Sequence, residues 1–117
     1  MDFKVVNIKE FALAAYDSGK LVELEIEQAK KEGIVAIKFI HGYGSHGVGG
    51  AMLSVIRQTL RNLEKKKEID FFILGHEWNF QSEKAKKIIY SCQDCYNDED
   101  LNHSNPGITI VKLPLKK

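Results

Sequence analysis

The stretch Ile34-Val35-Ala36-Ile37-Lys38-Phe39-Ile40-His41-Gly42-Tyr43-Gly44-Ser45-His46-Gly47-Val48-Gly49-Gly50 decides the fold. Its first seven residues are nearly all apolar, which suits a central strand covered on both faces. The remainder carries five of the chain's nine glycines. Met52, Leu53, Val55, Ile56, Leu60 and Leu63 follow at helical spacing and predict a helix from about residue 50 to 66. A glycine-rich turn between a buried strand and a helix sets unpaired backbone N–H groups at the positive end of the helix dipole. That arrangement favours an anion, often a phosphate.

Working outward, Phe3-Lys4-Val5-Val6-Asn7-Ile8 mixes β-branched and aromatic residues and reads as a first strand. Val22, Ile26 and Ala29 recur at i, i+4 and i+7, so Leu21 to Ala29 is a helix. Lys30, Lys31 and Gly33 end it, and Gly19 leaves its start open. Downstream, Ile69 to Leu74 reads as a third strand stopped at Gly75. Ser82 caps a short helix, Glu83 to Ser91, and Gly107 to Leu113 alternates as a last strand ended by Pro114. The order is β-α-β-α-β-(α)-β, which predicts a mainly parallel four-stranded sheet.

Composition bounds the rest. At 117 residues the chain is expected to be one domain spanning 1–117. It holds 44% hydrophobic and 28% charged residues with a formal net charge of +1, so bulk charge does not announce a nucleic-acid partner. No apolar run approaches the roughly 18 residues that span a bilayer. The opening Met1-Asp2-Phe3-Lys4 lacks the pattern of a signal peptide, so a cytoplasmic location and no membrane partner are the expectation. Acidic clusters such as Asp98-Glu99-Asp100, and the basic run of Arg57, Arg61, Lys65, Lys66 and Lys67, read as solvated surface.

Cys92 and Cys95 form a C-x-x-C pair. One pair cannot complete a four-ligand zinc site alone, and it falls at the C-terminal end of a helix, where a thiol pKa is raised rather than lowered. Two ordinary thiols are expected, and no metal site or cofactor is, with any need for a divalent metal left open. His76 and His103 read as loop residues. Trp78 reads as a core plug near Phe72 and Phe80.

Three chemistries compete for the glycine loop. A mononucleotide loop fails, because neither Gly42/Gly47 nor Gly44/Gly49 is followed by Lys and Ser/Thr. A dinucleotide loop matches Gly42-x-Gly44-x-x-Gly47 literally, but the loop runs on through Gly49 and Gly50, and the nearest acid past the next strand, Glu77, is too far along. The third is a clamp on a nucleic-acid backbone, in which glycines admit a phosphodiester and nearby cations neutralise it. His41, at the end of the central strand, is then a general acid or base, or a residue that fixes the turn.

Val35 to Gly44, the glycine-rich continuation, the helix from Ala51 to Leu60, and the closing Asn105-Pro106-Gly107-Ile108-Thr109-Ile110-Val111 resemble the Smr domain, a family named for its relation to the C-terminal part of the MutS2 proteins. The resemblance spans nearly the whole chain. It implies a two-layer βαβα(β/α)β sandwich, similar to the C-terminal domain of translation initiation factor three. It also implies binding to DNA or RNA and, in several members, DNA nicking or RNA cleavage. The family's H-G-x-G motif falls on His41, Gly42, Tyr43 and Gly44. Its L-D-x-H motif falls on Val6-Asn7-Ile8-Lys9, where Asn7 replaces the acid and Lys9 the histidine.

The expected reading is therefore a nucleic-acid-binding Smr-type domain that contacts phosphates through Gly42, Tyr43, Gly44, Ser45, Gly47, Gly49, Gly50 and Arg57. As an endonuclease it would use His41, with Lys9 and His46 as weaker catalytic candidates. The alternative is a catalytically silent interaction module or a small phosphate or nucleotide binder.

Overall fold

A computed structural model describes residues 2–11, 15–42 and 48–115. The elements are β1 (Phe3–Asn7), α1 (Ala15–Lys31), β2 (Ala36–Ile40), α2 (Val48–Lys65), β3 (Phe71–Leu74), α3 (Glu83–Ser91) and β4 (Ile108–Lys112). Short 3-10 turns occupy Ile8–Phe11, Gly75–Glu77 and Gln93–Asn97. Ser82 caps α3 by accepting from Ala85 N, as its position before the apolar run requires.

The sheet is mixed, which corrects the expectation of a mainly parallel one. Its order is β1-β2-β4-β3. β1 and β2 pair in parallel, whereas β4 lies between β2 and β3 and is antiparallel to both. The three strands joined through α1 and α2 do run the same way, as alternation demands. After β3 the chain crosses the open face of the sheet through α3, and β4 enters the gap from the opposite end.

That crossing adds a third layer to the expected two. On one face α1 and α2 bury Val22, Ile26, Met52, Ile56 and Leu60 against Val6, Ile37, Phe39 and Val111. On the other, Trp78, Ile88, Ile89, Cys92, Cys95 and Leu101 cover Phe3, Ala36, Ile73, Ile108 and Ile110. Each fully buried aliphatic side chain contributes about 1.5–3 kcal/mol of transfer free energy. β2 is thus covered on both sides, as its apolar run requires.

α1 starts earlier than its periodicity suggested, and Gly19 lies inside it. A Cβ at Gly19 would meet Thr59 Oγ1 at 2.8 Å and Val55 Cγ1 at 3.0 Å, so this glycine is where α1 approaches α2. Trp78 is fully buried, but it stacks on Phe3 at 6.4 Å between ring centroids, while Phe80 is exposed.

Candidate nucleic-acid interface

His41 and Gly42 follow β2 directly, and both backbone N–H groups donate to Gly107 O, at 2.9 and 3.1 Å. This clamp fixes the C-terminal end of β2 against the entry of β4. The His41 side chain is buried between them, 3% exposed. Nδ1 lies 2.9 Å from Gly42 O, and Nε2 lies 2.9 Å from Thr109 Oγ1. A carbonyl only accepts, so the bonding pattern assigns the proton to Nδ1, with Nε2 accepting from the Thr109 hydroxyl. Burial pushes the His41 pKa below its usual value, and the nearby positive charge of Arg57 acts the same way, against the Gly42 carbonyl bond. The ring is neutral near pH 7, and both nitrogens are occupied.

Gly42 has φ +79°, a left-handed conformation that a side chain would strain. A Cβ there would sit 3.0 Å from Lys9 Cδ, so the Lys9 stem lies over this glycine. Lys9 is held by a local turn: its N–H donates to Asn7 Oδ1 at 3.1 Å, and Asn7 Nδ2 donates to Glu10 Oε1 at 3.3 Å. Asn7 uses its amide to shape this turn.

Arg57 reaches the same corner from α2. Its Nε is buried and has no hydrogen-bond partner among the described residues. A buried unpaired donor costs about 1–3 kcal/mol, more for a charged group. A phosphate oxygen placed there would relieve that cost.

The structure therefore brings together His41, Gly42, Lys9 and Arg57. Tyr43, Gly44, Ser45, His46 and Gly47 lie outside the described residues. Gly49 and Gly50 fall in the first turn of α2, where backbone N–H groups lack intrahelical acceptors. His76 and His103 are exposed. Among the described residues no group of three or more His, Cys, Asp or Glu could hold a metal.

The corner rests on a network that the strand pattern of β2 concealed. Lys38 is only 2% exposed, and its Nζ lies 2.7 Å from both Asp98 Oδ1 and Asp100 Oδ2. Trp78 Nε1 donates to Asp98 Oδ2 at 2.9 Å, Asn105 Nδ2 to Asp100 Oδ1 at 2.8 Å, and Gly107 N to Asn105 Oδ1 at 2.8 Å. Burial works to lower the Lys38 pKa, but the two carboxylates outweigh it and hold it above the usual lysine range. Bonds from Lys38 and Asn105 overcome burial at Asp100 and hold its carboxyl below the usual range. Asp98 and Asp100 are thus structural partners rather than solvated surface, and they lock the turn that receives His41. The available signal was a lone Lys38 within an apolar run, since a buried cation requires a countercharge from elsewhere in the chain.

Cys92 and Cys95 are both free thiols buried under the sheet. The Cys95 thiol is pushed up by its contact with Cys92 and by burial, while that same contact lowers Cys92.

No family model matches the sequence, and no curated protein matches it. Among solved structures the chain is similar to the crystal structure of the Smr domain of Thermus thermophilus MutS2, with a TM-score of 0.56 at 18% identity. The similarity covers 97% of this chain and 99% of that one. No described helix is long and apolar enough to cross a membrane. At this identity the likeness is one of fold, and by its fold the chain is an Smr-like α/β domain.

Proposed function

We propose that the domain binds the phosphate backbone of DNA or RNA at the corner where β2 meets β4. The observation that carries this reading is that the Lys9 stem lies over Gly42, whose backbone no side chain of its own shields, while Arg57, whose buried Nε has no partner among the described residues, brings its charge near His41. The first-turn amides of α2, including those of Gly49 and Gly50, extend the same anion-binding surface. Tyr43, Gly44, Ser45 and Gly47 complete the loop in this reading, with Tyr43 available to stack on a base.

In the same reading His41 holds the turn and does not transfer protons. Cleavage would require a ring nitrogen within hydrogen-bond reach of a reacting oxygen, and both nitrogens are committed to Gly42 O and Thr109. Asn7 offers no carboxylate to activate water.

Labelled DNA and RNA, single- and double-stranded, scored for retention and cleavage at about 50 mM salt, test this reading. Retention without His41-dependent cleavage is expected. Cleavage that His41→Gln abolishes while the domain stays folded would overturn the assignment to His41. Absence of binding, with thermal stabilisation by a mononucleotide, would favour a small phosphate binder instead.

A further inference from the structure

Gly75 is packed so closely on the turn before β4 that a Cβ there would fall 1.6 Å from Asn105 O. The turn that clamps His41 and Gly42 through Gly107 therefore continues without a gap into Gly75–Glu77. Beyond it lies a cleft of about 390 Å³ lined by Asn79, Phe80, Gln81, Asn102 and Ser104. Phosphate corner and cleft occupy the same end of the sheet and share one ridge of backbone.

The cleft has the chemistry of a site for a flat, neutral, polar molecule. No ionised group among the described residues lines it, which disfavours phosphate as its occupant. Phe80 is 46% exposed, and Tyr96 tilts against it at 6.2 Å between centroids. Asn79 is spent on structure: its amide donates to His76 O and its oxygen accepts from Gln81 N and Ser82 N. Asn102 Oδ1 accepts from Phe80 N, which fixes the aromatic residue relative to the opposite wall. The Asn102 Nδ2, the Gln81 carboxamide and the Ser104 hydroxyl have no partner among the described residues. Asn102 and Ser104 both hold left-handed backbone, with φ of 69° and 51°.

We propose that this cleft takes one unstacked nucleobase of the strand whose phosphates cross the Gly42 corner, with Phe80 as the stacking platform and Asn102 and Gln81 reading the base edge. The proposal rests on the backbone-binding reading above. An aromatic face beside free amides is how proteins hold splayed bases, and the cleft volume falls within the roughly 300–1,000 Å³ of small-ligand sites.

Fluorescence anisotropy with a short single strand, its counterpart carrying abasic positions, and a duplex tests it. Wild-type protein should bind the base-bearing strand more tightly than the abasic one. Phe80→Ala should weaken binding of the base-bearing strand by roughly 5- to 150-fold, leave the abasic strand unchanged, and be rescued by Phe80→Tyr. Gln81→Ala, at an exposed position, gives a second comparison should Phe80→Ala fold poorly; its loss should likewise be confined to the base-bearing strand. Equal wild-type affinity for the two strands, or equal losses on both, overturns the cleft assignment. Salt-dependent duplex binding alongside that result would leave the backbone reading intact, whereas no binding to any nucleic acid overturns both.

Discussion

The Thr109 hydroxyl lies 2.9 Å from His41 Nε2, and both residues are buried where β4 enters the sheet beside the end of β2. The bond spans 68 positions of sequence and ties the turn at His41 to the strand that locks it. Thr109→Val keeps the volume and removes the donor. A buried ring nitrogen left unpaired costs about 1–3 kcal/mol, so the unfolding free energy should fall by that amount and the denaturation midpoint with it. An unchanged midpoint would show that Nε2 has another partner.

The pH dependence follows from the same ring. The folded-state pKa of His41 lies below its unfolded value of about 6.5. The unfolded chain therefore binds more protons between those two values, and stability is lost as pH falls below about 6.5. Chemical denaturation from pH 7 to 5 should show this loss, and His41→Gln should flatten the slope. An equal slope in both proteins would mean that His41 is not held neutral.

Lys38→Met would strand Asp98 and Asp100, whose side chains are 4% and 14% exposed. Breaking one side of a buried ion cluster costs about 3–5 kcal/mol, a large share of the stability of a small domain. The triple change Lys38→Met, Asp98→Asn, Asp100→Asn should cost less than Lys38→Met alone. If it costs more, the charges act independently rather than as one cluster.

Gly75→Ala would drive a methyl group into the Asn105 backbone rather than into a flexible side chain. Overpacking of this kind costs about 1–3 kcal/mol. It should also weaken nucleic-acid binding, because the displaced turn carries the Gly107 carbonyl that holds His41 and Gly42. Calorimetry paired with anisotropy separates the two effects, and a destabilised protein with full affinity would disconnect the turn from the site.

How much of this was legible depended on how local each feature is. α3 and its Ser82 cap could be read directly, because a cap and its helix lie within three residues of each other. The His41–Gly42 corner was also visible, since a strand ending in a glycine run reads the same way in any tertiary setting. The antiparallel entry of β4 was not, because β3 and β4 carry apolar patterns that fit either direction and the choice is made by the path across the sheet. The role of Lys38 was not legible because its partners lie 60 and 62 positions away. Gly19 left the start of α1 open because its reason for being small is Thr59, on another helix. Arg57 was placed near the loop by helix periodicity, but its unpaired Nε belongs to three-dimensional burial alone.

The central claim is that Lys9 and Arg57 contact phosphates at the Gly42 corner. Its most direct test is the salt dependence of affinity for a labelled oligonucleotide, measured for wild type, Lys9→Met, Arg57→Met and the double variant. Each lost phosphate contact should weaken binding and reduce the slope of log affinity against log salt by about 0.7–0.9, the smaller value for single strands. The double variant should combine both reductions. Slopes that match wild type in every variant, with all four proteins folded, would contradict the account.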